Sequence, residues 1–71
     1  MKYAVIKVVN GNFAISTEHG DNKDGAVVAY HNLCAALWND TAEVTATVSI
    51  MDSNLDVVDG YKEYISHPAK A

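Results

Sequence analysis

The sequence predicts an α+β fold of the order ββαββ, one helix packed on a four-stranded antiparallel sheet with strand order 2-1-3-4. Two apolar, β-branched runs flank the dipeptide Asn10-Gly11, the composition of a two-residue hairpin loop. Apolar residues between Gly25 and Asn39 recur at helical spacing. Glu43 to Met51 alternates apolar with mostly hydroxyl-bearing residues, the period of a half-buried strand. With 71 residues the chain is expected to form a single domain over 1–71, since a length this short cannot close two independent cores.

In the first hairpin, a two-residue loop at Asn10-Gly11 places Val9 opposite Asn12, Val8 opposite Phe13, Ile6 opposite Ile15 and Ala4 opposite Thr17. That register is read as sending Ala4, Ile6, Val8, Phe13 and Ile15 toward the helix. Tyr3, Val5, Lys7 and Val9, beside Asn12, Ala14 and Ser16, then fall on the far face, which is more apolar than a solvated surface requires.

Polar and turn-forming residues fill His19 to Gly25, and Asp21, Asn22 and Asp24 are candidate N-caps for a helix that starts there. At 100° per residue, Ala26, Tyr30, Leu33, Cys34 and Leu37 form one stripe with Val27 and Trp38 at its shoulder. Val28, Asn32, Ala35, Ala36 and Asn39 lie behind. No charged residue falls between Gly25 and Asn39, whereas the outer side of a surface helix ordinarily carries several.

In the third strand Val44, Ala46, Val48 and Ile50 share one side. Asp52, Ser53 and Asn54 supply a turn, and Leu55 to Val58 returns antiparallel with Val57 as partner of Ile50. Asp59-Gly60 interrupts by a bulge or turn; beyond it Tyr61, Tyr64 and Ile65 sit at helical spacing while Tyr61, Glu63 and Ile65 also alternate, so the tail before Pro68 is read as a short helical turn with further strand as the alternative. A helix of some 16 residues is about 24 Å long and an eight-residue strand about 26 Å, so one helix covers one sheet face and leaves the other open.

Five Lys, no Arg and nine Asp plus Glu give a formal charge of -4, which argues against a surface built to neutralise phosphates. Nucleic acid is therefore not an expected partner. One Cys forms no internal disulfide and no multi-cysteine zinc site. No apolar run approaches the roughly 20 residues that span a bilayer, and the alternating start of the chain is unlike a signal peptide, so no membrane partner and a cytoplasmic location are expected.

Three constellations touch on chemistry, each with a plainer alternative. Cys34 follows His31 by one turn, as a thiol and imidazole pair would, but sits inside the apolar stripe where a thiol is packed as a small hydrophobe. Asp52, Asn54, Asp56 and Glu63 match positions 1, 3, 5 and 12 of a calcium loop, yet Val57 stands where the bend needs Gly, and a turn rich in Asp and Asn accounts for the same residues. His19, Asp21 and Asp24 are metal-capable, and helix capping accounts for the two acids. No enzymatic activity and no cofactor are expected from these residues.

Lys2 to Asn12 (KYAVIKVVNGN), Tyr30 to Cys34 (YHNLC) with Leu37-Trp38-Asn39, and Val57 to His67 (VVDGYKEYISH) resemble small uncharacterised proteins of phages and mobile elements from anaerobic gut bacteria. The resemblance spans nearly the whole chain and implies an accessory role without an assigned activity.

The functional expectation is a small protein-interaction module that self-associates, or binds another protein, through the open sheet face. Tyr3, Val5, Val9, Thr45, Thr47, Met51 and Val58 are its expected interface residues. The alternative is a regulatory or inhibitory protein that binds a host or phage enzyme and imitates nucleic acid with its acidic surface.

Overall fold

The computed structural model describes residues 2–70. Strands β1 (Tyr3–Val9) and β2 (Asn12–Gly20), helix α1 (Lys23–Trp38) and strands β3 (Val44–Asp52) and β4 (Val57–His67) follow in that order. The strands form one antiparallel sheet ordered β2-β1-β3-β4, the predicted ββαββ architecture of the α+β class.

Local chemistry explains the boundaries. Asn10 and Gly11 take φ of 49° and 85°, the paired positive values that a type I′ turn demands. Asn10 also extends the sheet, since its amide donates to the Thr45 carbonyl at 2.7 Å and its side-chain Oδ1 accepts from the Thr45 amide at 3.0 Å. Asn22 is the N-cap of α1, its Oδ1 accepting from the Gly25 amide at 2.9 Å. A Cβ on Gly25 would lie 2.6 Å from the Asn22 side chain, so the cap and the glycine require one another.

The far end of α1 has no basic residue in its last turn, and the C-terminal segment supplies one from outside the helix. The Lys70 ammonium donates to the Trp38 carbonyl, the Lys70 amide donates to the Thr41 carbonyl at 2.7 Å, and a His67 ring nitrogen lies 2.8 Å from the Leu37 carbonyl oxygen. Carbonyls left unpaired at a helix end carry the negative pole of the helix dipole, so a cation placed there is stabilising.

The core lies between α1 and one face of the sheet. Ala26, Tyr30 and Cys34 of the helix pack on Val5 of β1, on Val44, Ala46, Val48 and Ile50 of β3, and on Ile65 of β4. Leu33, Leu37 and Val27 flank them, so the helical stripe matches its expected membership.

Which face of β1 and β2 the helix covers is the reverse of the expectation. Val8 does pair with Phe13 and Ile6 with Ile15, but Val5 is fully buried under α1 while Phe13 and Ile15 are 67% and 56% exposed. The reason lies in β3. Its one apolar stripe has to meet the helix, and the β1–β3 register places Val5 opposite Ile50 and Val9 opposite Ala46, which commits the odd-numbered side of β1 to that layer. Ala4, Ile6 and Val8 are thereby turned away from the helix. The pairing also departs beyond Ile6, where a register shift brings Thr17 opposite Val5 and Glu18 opposite Ala4.

Strand β4 differs in extent as well. Residues from Val57 to His67 run as one strand in place of the expected helical turn after Gly60, and Met51, not Ile50, is the partner of Val57. Gly60, with φ of 86°, lies within the irregular stretch opposite Ile50, and beyond it Tyr61, Glu63, Ile65 and His67 alternate with Lys62, Tyr64 and Ser66. The two periodicities coincide at Tyr61 and Ile65, and the free edge of β3 decides for the strand.

Two substitutions separate these faces. Ile50→Ala should cost about 2–5 kcal/mol through lost burial and the cavity it leaves. Ile15→Ala, on the exposed face, should cost less than about 1 kcal/mol. Urea unfolding of dilute chain measures both, and a larger loss at Ile15 than at Ile50 would contradict the face assignment.

Candidate functional site

The sheet face turned away from α1 is built in cross-strand rows. Phe13 of β2, Val8 of β1, Thr47 of β3 and Tyr64 of β4 are successive partners and form one row across all four strands. The next row is Ile15, Ile6, Ser49 and Lys62, and the third is Glu18, Ala4, Met51 and Val57. Side chains of one row point to the same side because strand alternation is shared along the ladder.

These rows are unevenly filled. Phe13 and Tyr64, on the two edge strands, are 67% and 63% exposed, while Ile6 and Ser49 in the middle strands are almost covered. Ile6 is nevertheless not part of the cluster beneath α1, so its cover comes from the far face itself. The result is a floor of small or covered side chains between edge strands that carry large exposed ones. Phe13, Ile15 and Tyr64 thus present large exposed side chains on one face of the sheet.

Of the expected interface residues, Thr45, Thr47 and Met51 lie on this face. Tyr3, Val5, Val9 and Val58 do not, because all four pack in or against the core beneath α1. In their place the face holds Phe13, Ile15, Val8, Tyr64 and Val57. Tyr64 becomes legible only once β4 is known to continue past Gly60, and Phe13 and Ile15 only once the β1–β3 register is known. The one sequence signal that points to them is the hydroxyl side of β3, which marks the face the helix does not cover. At one end of this surface Lys2, Glu18, Met51 and Asp52 line a hollow of about 400 Å³.

The thiol and imidazole do not form a pair. Cys34 is buried beside Tyr30 in the core, and His31 is exposed, its ring edge-on to Tyr30 with centroids 5.2 Å apart. Burial, and after it the negative charge of Glu63, pushes the Cys34 thiol from its ordinary 9.0 up to about 11. Burial likewise raises Tyr30 to about 12, with Cys34 and Glu63 adding to the effect. Glu63 is held by Trp38, whose indole nitrogen donates to its carboxylate at 2.7 Å. This links β4 to the last turn of α1.

The acidic turn is likewise committed to local structure. The Asp52 carboxylate accepts from the Asn54 and Asp56 amides at 2.9 and 3.2 Å, and Leu55 takes φ of 64° between them. Glu63, bonded to Trp38, is not part of that turn. His19 bonds Thr17 at 2.6 Å, and among the described residues no three His, Cys, Asp or Glu side chains come together as a metal site. The back of α1 exposes Val28, Asn32, Ala35 and Ala36 and carries no charge.

A neutral alkylating reagent should modify Cys34 slowly in the native chain until the pH approaches about 11, and promptly in denaturant at pH 9. The sign follows from the raised value, because the reactive thiolate is the form that burial disfavours. Rapid native labelling at neutral pH would contradict it. No family model matches this chain, and no curated protein or solved structure matches it, so the sheet face is the site on which a functional reading rests.

Proposed function

We propose that the chain is a small, non-enzymatic protein-interaction module that self-associates through the uncovered sheet face. The observation that carries this reading is the row from Phe13 to Tyr64, with two large aromatic side chains mostly exposed at its ends and the smaller Val8 and Thr47 between them. So short a chain has little core, and covering this face removes apolar surface from water at about 25 cal/mol per Å². The back of α1 competes less well, since Ala35 and Ala36 offer little area.

A different occupant of the same face gives the second reading, an accessory protein that binds a host or phage enzyme. The net charge of -4 favours it to the extent that the enzyme's own ligand is nucleic acid.

Light scattering of the full chain from micromolar to millimolar concentration should show the mass rising toward a dimer. Ile15→Lys should leave the fold intact and hold the chain monomeric, because a charge then enters the contact from both copies. Ala35→Lys, behind the helix, should leave association unchanged. Wild-type chain that stays monomeric throughout removes self-association and leaves the foreign partner. Monomers from the Ala35 variant alone would move the contact to the helix.

A further inference from the structure

We infer that the occupant of the face is a second copy related by a twofold axis running along the strands, so that β2 of each copy lies over β4 of the other. This rests on the self-association proposed above and adds its geometry. Four strands about 4.8 Å apart and some 25 Å long present roughly 500 Å² per copy. A pair therefore buries about 1,000 Å², the lower end of what a specific contact needs, and only face-to-face packing of whole sheets reaches it.

The charges select the axis. Of the side chains in the three rows, only Glu18 and Lys62 are charged, and they sit on opposite edge strands, Glu18 on β2 and Lys62 on β4. An axis across the strands would lay β4 on β4 and β2 on β2, gathering both lysines at one side and both glutamates at the other. An axis along the strands exchanges the edges. Phe13 then meets Tyr64 of the second copy, and Glu18 comes within one row, about 7 Å along the strand, of that copy's Lys62, a distance that a lysine side chain spans. Both contacts occur twice.

The distribution of side-chain size fits the same arrangement. Twisted sheets stacked near -30° are closest at their centres and part toward their corners. The covered Ile6 and Ser49 lie where the sheets approach, and Phe13 and Tyr64 lie where they part.

The test is a charge exchange followed by light scattering of the full chain. Glu18→Lys and Lys62→Glu should each weaken dimerisation at least tenfold, and the double variant should return to within about threefold of wild type. A double variant as weak as the weaker single variant would overturn this geometry while leaving self-association standing. Wild-type chain monomeric at every concentration would instead remove the reading beneath it. Thiol cross-linking with a bismaleimide of about 10 Å span, the spacing of stacked sheets, gives a second measurement. A mixture of Phe13→Cys and Tyr64→Cys chains should then cross-link as a heterodimer, and either variant alone should not, because like positions lie about 14 Å apart across the sheet in addition to the spacing between sheets. Cross-linking of Phe13→Cys with itself would place the axis across the strands and overturn the proposal.

Discussion

The packing of α1 on the apolar stripe of β3 is the contact on which the rest of the molecule depends. Val44, Ala46, Val48 and Ile50 are all buried on one side of that strand, and Ala26, Tyr30 and Cys34 of the helix cover them. Because side chains alternate along a strand, this contact fixes the outward side of β3, and the ladders then pass the assignment to β1 and β4. Val5 is buried and Phe13 exposed for the same reason, although they belong to different strands and neither is in β3.

Two further contacts hold the helix at its ends. Asn22 caps the start with the space that Gly25 leaves, and the C-terminal segment closes the other end with Lys70 and His67 against the last carbonyls. Between them the Trp38 indole binds Glu63, tying the final turn to β4. None of these groups faces the uncovered sheet. The layer that stabilises the fold and the layer available for contact are therefore separate sets of residues, and a surface substitution in one need not disturb the other.

That separation bears on chemistry as well. The thiol and phenol with raised pKa values, Cys34 and Tyr30, lie in the helix-covered layer, where apolar surroundings keep both neutral. The Asp52 carboxylate is occupied by the amides of its own turn. The uncovered face is composed of apolar, hydroxyl and aromatic groups with one acid and one lysine among its three rows.

The sequence by itself determined the elements whose causes are local. Asn10-Gly11 makes its turn from its own φ values, Asn22 makes its cap from its own side chain, and the stripe of α1 and the alternation of β3 follow from periods contained in those segments. It also determined the hairpin pairing from Val9 to Ile6, which the turn sets. Tertiary structure decided which side of that hairpin is inside. Both sides of β1 are largely apolar, Ala4, Ile6 and Val8 against Tyr3, Val5 and Val9 with the single Lys7, so the strand's own pattern does not choose and a neighbour decides for it. Tertiary structure likewise decided that Tyr61 to His67 is strand, since helical and alternating spacings share Tyr61 and Ile65 and only the free edge of β3, with its unpaired amides and carbonyls, distinguishes them. The open face was legible as a consequence of one helix on one sheet, but its residues were not, because exposure is a property of the whole sheet and not of any strand within it.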